Sequence, residues 1–203
     1  MKIRENNSGG AKKCSLIVSC LLVIYLPSTA WAGRFVLGTE ISSGGDEIAR
    51  LTNGDSVKAG ELLYFGAGYD FTLNQKDTLH LRAMLGYKTA RLNADNGDVK
   101  FDRVPLDMVV IKSLDNFIVG AGLTYHLSPT YDGTINGNHT RIDFKDSLGA
   151  VLQAGYTVGQ QVEFGLRFTA IDYKSSQSFV LPDGSVDDKL NGNSVGIYLA
   201  LKL

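Results

Sequence analysis

Residues 147–170 read SLGAVLQAGYTVGQQVEFGLRFTA, and this stretch decides the fold. Leu148, Ala150, Leu152, Ala154 and Tyr156 fall on one side of an alternating segment, against Gly149, Gln153, Gly155 and Thr157. Gly159-Gln160-Gln161 then turns the chain. Alternation resumes with Val162, Phe164, Leu166, Phe168 and Ala170 against Glu163, Gly165, Arg167 and Thr169. A period of two is that of a strand, whose successive side chains point to opposite faces. One face is apolar and uncharged; the other mixes glycine with charge.

The pattern recurs along the chain and predicts strands near 34–43, 61–72, 78–90, 101–112, 117–127, 147–158, 162–173 and 194–203. No stretch after residue 33 sustains a helical period. The connections alternate in length. Asn74-Gln75-Lys76-Asp77, Ser113-Leu114-Asp115-Asn116 and Gly159-Gln160-Gln161 are tight, whereas 44–60, 91–100, 128–146 and 174–193 are long, polar and rich in Gly, Asn and Asp. Short turns at one end and long loops at the other are the pattern of a transmembrane barrel. The fold class expected is all-β: an eight-stranded antiparallel transmembrane β-barrel with short periplasmic turns and long outer loops.

A soluble barrel of the lipocalin kind would alternate too, with its apolar face turned inward. Aromatic placement argues for the membrane. Phe35, Tyr69, Phe71, Phe117 and Tyr156 gather at one rim of the apolar face, and Tyr87, Tyr125 and Phe168 at the other. Two aromatic girdles around an aliphatic band are what the two bilayer interfaces select. Glycine on the opposite face suits a narrow interior. Pro105 cannot donate to a ladder, so the fourth strand is expected to bulge there, or to pair regularly only from Leu106. Leu106, Met108 and Val110 would then face lipid, with Asp107 inside.

Residues 1–32 read as a cleaved export signal, leaving 33–203 as one barrel domain. Lys2, Arg4, Lys12 and Lys13 precede an apolar run from Ser15 to Leu26, Pro27 ends it, and Ala30-Trp31-Ala32 supplies the small-x-small cleavage pattern. Ile17-Val18-Ser19-Cys20 has the shape of a lipobox, but the apolar run continues past Cys20. Both cysteines, Cys14 and Cys20, lie inside the signal, so the mature chain has no thiol for disulfide, metal or catalysis. The full chain carries 20 basic and 21 acidic residues, and the signal removes more bases than acids. Without a concentrated basic patch, nucleic acid is not an expected partner.

The charges of the inward face come in equal numbers: Glu40, Asp70, Asp107 and Glu163 against Arg82, Lys88, Arg167 and Lys202. Buried charges persist when paired, so a plug of ion pairs is expected, with a narrow gated conduit as the functional alternative. Arg82, Asp107, Arg167 and Glu40 are expected to share one mid-barrel network.

The mature chain resembles the small eight-stranded outer-membrane proteins of the OmpX and OmpA-transmembrane type. Val104-Pro105-Leu106 and the run from Gly120 to Pro129 also resemble uncharacterised proteobacterial outer-membrane barrels. The resemblance implies residence in the outer membrane and contact with its lipid and lipopolysaccharide. It also implies handling by the barrel-assembly machinery during biogenesis, and a monomer. That machinery reads an aromatic terminus, where this chain has Leu199, Leu201 and Leu203.

Chemistry is sparse. His80, His126 and His139 are not at metal-ligand spacing with a carboxylate, and Asn93-x-Asp95-x-Gly97 lacks most of a calcium loop. His126-Leu127-Ser128 resembles the His-x-Ser pair of the lipid A 3-O-deacylases. Pro129 stands where that family has asparagine, Asp132 and Asp143 are loosely placed acids, and parity turns His126 inward. The expectation is a barrel without catalytic, cofactor-binding or metal residues. Its role would be structural or surface-interactive, with a narrow-pore or lateral transporter as the alternative and a lipid A deacylase as the remote one.

Overall fold

The structure, a computed structural model, describes residues 33–50, 56–94, 97–135, 137–180 and 186–203. Residues 1–32, read above as an export signal, and Asp95 and Asn96 lie outside these residues. In chain order the strands are β1 (Gly33–Ser43), β2 (Glu47–Arg50), β3 (Ser56–Lys58), β4 (Leu62–Thr72), β5 (Leu79–Ala94), β6 (Gly97–Leu114) and β7 (Phe117–Ile135). There follow β8 (Asn138–Asp143), β9 (Ser147–Val158), β10 (Val162–Ala170), β11 (Asp172–Val180), β12 (Val186–Asn191) and β13 (Ser194–Lys202).

Eight strands close a ring in the order β1, β4, β5, β6, β7, β9, β10, β13, and every neighbour is antiparallel. β13 returns to β1 with Val36 opposite Lys202. Each tight turn contains one residue in the left-handed region, Asp77, Asp115 or Gly159. Asp tolerates that conformation better than most residues and Gly adopts it freely.

The outward band is aliphatic, with Leu152, Leu166 and Ile197 exposed by 56%, 59% and 68%. In a soluble barrel these side chains would be the hidden ones; here they are the wall. Aromatic pairs mark the periplasmic edge, with Tyr69 against Phe71 at 4.9 Å and Phe117 against Tyr156 at 5.2 Å between ring centroids. Lys112 lies just beyond, donating to Thr78 Oγ1 at 3.0 Å. Such a surface belongs in lipid.

Glycine lines the interior because large side chains lie across the neighbouring strands. The Tyr64 side chain covers Gly66 and Gly86, and a Cβ on either would come within 2.1 Å of it, at the hydroxyl over Gly66 and at the ring over Gly86. Tyr198 covers Gly155 in the same way, at 2.6 Å.

Three expectations need correction. First, the described residues of the outer connections are largely strand rather than polar loop. β5, β6 and β7 run far past the outer girdle, and β8 pairs with the upper part of β7. Among the described residues of 44–60, β2 pairs with β3, and among those of 172–193, β11 pairs with β12, both antiparallel. Ile48, Ala49, Val57, Ala59, Ala90, Val99, Phe101, Tyr131, Phe144, Ile171, Tyr173 and Leu190 pack together as an apolar core beneath them. Phe101 meets Tyr173 and Phe144 edge-on at 5.4 and 5.7 Å, the favoured geometry of aromatic pairs.

Second, the bulge is not at Pro105. β6 pairs in one register with β5 on both sides of it, and only the positions opposite Tyr87 and Gly86 drop out of the ladder. The extra residue is on the other neighbour. Asp102 pairs with Thr130 and Val104 with Leu127, so β7 carries one residue more than β6. Ser128, at φ 47°, takes up that residue. Leu106, Met108 and Val110 do face outward and Asp107 is buried. Third, the inward charges do not form the expected single network.

Candidate functional site

The lumen is the place where a pore would have to run, and it holds the buried charges. Eight of its charged residues form two groups of ion pairs. In the lower group, Arg82 on β5 faces Asp70 on β4 directly across the ladder. Its Nε and Nη2 donate to Asp70 at 2.6 and 2.7 Å, and Nη2 also reaches Glu163 of β10 at 2.8 Å. Lys202 of β13 pairs with Glu163 and lies 4.0 Å from Asp70. In the upper group, Arg167 of β10 donates to Asp107 of β6 at 2.7 Å and lies 3.4 Å from Glu40 of β1, which also takes Lys88 of β5 at 3.2 Å.

Arg82 and Asp107 therefore belong to different groups. The register gives the reason: Met84, not Arg82, is opposite Asp107, while Arg82 is opposite Val109. Glu163 is fully buried and Arg82 is 4% exposed. Below them, a polar vestibule of about 260 Å³ opens at the periplasmic mouth, lined by Arg34, Asp70, Asp77, His80 and Lys202 among others.

This separation sets an expected result for paired substitutions. Asp107→Ala strips Arg167 of its closest carboxylate and is expected to cost about 2–4 kcal/mol, roughly the scale of breaking a buried pair. Adding Arg167→Met should recover part of that loss, whereas adding Arg82→Ala should simply add its own. Unfolding by urea in lipid vesicles measures both. Coupling of Asp107 to Arg82 rather than to Arg167 would contradict the two-group arrangement.

One inward charge escaped the sequence reading. Arg103, 1% exposed, lies above the upper group with its guanidinium 4.6 Å from the centre of the Phe101 ring. Its signal was present in the sequence, since Arg103 shares parity with Asp107, four residues along the strand. The expectation that pairing began at Leu106 hid it.

His126 points inward, as parity requires, and is 3% exposed. Its Nδ1 lies 2.7 Å from the Tyr173 hydroxyl, tying the barrel rim to the β11–β12 hairpin. Burial raises the Tyr173 phenol above its ordinary value, partly offset by the Arg103 guanidinium, so the hydroxyl keeps its proton. Ser128 is exposed in the bulge, where its backbone N–H donates to Asp146 at 2.8 Å. Asp132 lies 3.7 Å from His139, and Asp143 takes Arg141 at 3.3 Å. The residues of the suggested deacylase triad thus have other partners. Among the described residues, no group of three or more His, Cys, Asp or Glu side chains could hold a metal ion.

No family model matches the sequence, and no curated protein sequence matches it. Solved structures do. Ail, the attachment invasion locus protein of Yersinia pestis, in complex with the heparin analogue sucrose octasulfate, aligns with a TM-score of 0.52 at 9% identity, over 84% of this chain and 96% of that one. Neisserial surface protein A aligns with a TM-score of 0.51 at 10% identity, over 85% and 99%. Both are small outer-membrane barrels. The chain described here is, by its ring of strands and its lipid-facing wall, a small eight-stranded barrel of the outer-membrane type.

Proposed function

We propose that the protein is a non-conducting, non-catalytic barrel of the outer membrane that works through its outer surface, as a structural or surface-interaction protein. The observation that carries this reading is the filled lumen: two groups of ion pairs with an apolar core above them. An ion crossing the barrel would have to separate Arg82 from two carboxylates in a place where each charge is costly to leave unpaired. The surface left for interaction is the wall of β5 to β8 above the girdle. Its outward rows carry Arg91, Lys100, Arg141 and His139 among Asp98, Asp102, Asp132 and Asp143. Lipopolysaccharide, with its own phosphates and sugars, is the nearest partner for such a mixed face. The mature chain is taken to begin at Gly33 and to act as a monomer.

The test is electrical. Purified protein reconstituted in planar bilayers should show no steady conductance at neutral pH. A steady, ion-selective current, altered by Asp107→Ala, would favour the transporter reading instead. Sucrose octasulfate and purified lipopolysaccharide are the natural first probes of the outer wall, the former because a barrel of the same fold has been solved with it.

A further inference from the structure

Lys88 on β5 and Arg103 on β6 are direct cross-strand partners, and both are buried, at 5% and 1% exposure. Like charges in that position repel. A third base, His126, comes from β7, the strand on the other side of β6, where it pairs with Pro105. The carboxylates at this end of the lumen are Glu40 and Asp107, and three cations compete for them: Lys88, Arg103 and Arg167. Glu40 takes Lys88 and Arg167, and Asp107 takes Arg167. Arg103 has no ion pair among the described residues. Its guanidinium reaches the backbone carbonyls of Phe101 and Glu61 and the neutral Tyr173 hydroxyl, and its Nε has no hydrogen-bond partner.

The acids nearest in the chain and in space face elsewhere. Asp102 turns outward to Lys100 and accepts from Thr89 at 2.7 Å. The Glu61 carboxylate accepts from the Lys58 N–H at 3.1 Å and the Ser43 hydroxyl at 3.3 Å. A guanidinium does not shed its proton. One positive charge is therefore left without a counter-charge under a roof of Phe101, Tyr173 and Leu190, where an unpaired charge is most costly.

We propose that this position is an anion site: a small inorganic anion, chloride in the cell, lies among the Arg103 Nε, the Lys88 ammonium and the His126 ring. It supplies the counter-charge that the protein lacks. Occupancy would join the barrel rim to the roof, because Arg103 holds Glu61 at the base of the β2–β3 hairpin and His126 holds Tyr173.

The test compares chloride with gluconate at constant ionic strength. In micelles, the temperature at which the wild-type barrel opens should rise by several degrees with chloride and then saturate, and bromide should replace chloride. Arg103→Met and Lys88→Met should lose that dependence, while Arg141→Met, on the exposed wall, should keep it. Equal stability of the wild type in chloride and gluconate would overturn the site, as would a chloride dependence that survives both buried substitutions. Crystals of the unmodified protein grown in bromide decide the matter even where a variant fails to fold. An anomalous peak beside Arg103 supports the site, and its absence there removes it.

Discussion

Replacing Arg82 with methionine is expected to destabilise the barrel by about 3–5 kcal/mol, the scale of leaving buried charge without its partner. Arg82 serves two carboxylates at once, Asp70 through a two-pronged contact and Glu163 through Nη2. Methionine fills similar space but leaves both acids to Lys202, which reaches Asp70 only at 4.0 Å. Arg82→Lys should fall between the two, because it keeps the charge and loses the planar fork. Lys202→Met should cost less than Arg82→Met, since Lys202 borders the periplasmic vestibule and water can replace part of what it supplied. Urea unfolding in vesicles ranks the three, and an Arg82→Met protein as stable as wild type would mean that these pairs contribute nothing net.

The second large effect is on the wall. Leu152→Arg and Leu166→Arg each set a guanidinium near the middle of the bilayer, at an expected cost of about 2–4 kcal/mol or failure to assemble. The outer end offers the control. Asn191 is a poor choice there, because its side chain accepts the N–H of Asn193 at 2.8 Å. Asn138 is exposed on β8, and Asn138→Arg should stay within about 0.5 kcal/mol of wild type. The measurement is the folded fraction on an unheated gel, followed by urea unfolding of whatever folds. Equal loss at Leu152 and Asn138 would mean that the wall does not face lipid.

These effects were foreseeable from the sequence because alternation between the girdles is nearly unbroken. Leu148 to Tyr156 and Val162 to Phe168 name both faces by parity alone, and the structure keeps every one of those assignments. The outer region was not legible in the same way, for a physical reason. Inside the bilayer the lipid-facing residues of β6 are even-numbered and apolar, Leu106, Met108 and Val110, while the inward Val109 and Ile111 pack in the lumen. Above the girdle the apolar residues are odd-numbered and face inward: Val99 and Phe101. Where lipid gives way to water the preferred side of the wall reverses, so the change of phase near Arg103 resembles a break in the strand. Pro105, two residues away, drew the break to itself. The ion-pair network was half legible: the eight residues were right, but parity says which side a residue faces and not the level at which it meets its partner.

The extra residue at Ser128 gives β7 something like a reading frame. Below it, Leu123 and Tyr125 face lipid; above it, Tyr131, of the same parity, is buried in the outer core. The letters alternate without interruption while their meaning is exchanged. Outer segments carried by such a barrel can be traded between proteins only in phase. A graft of the right length joined one residue out of step would turn its apolar side to water and its charges to the core, however well its sequence matched.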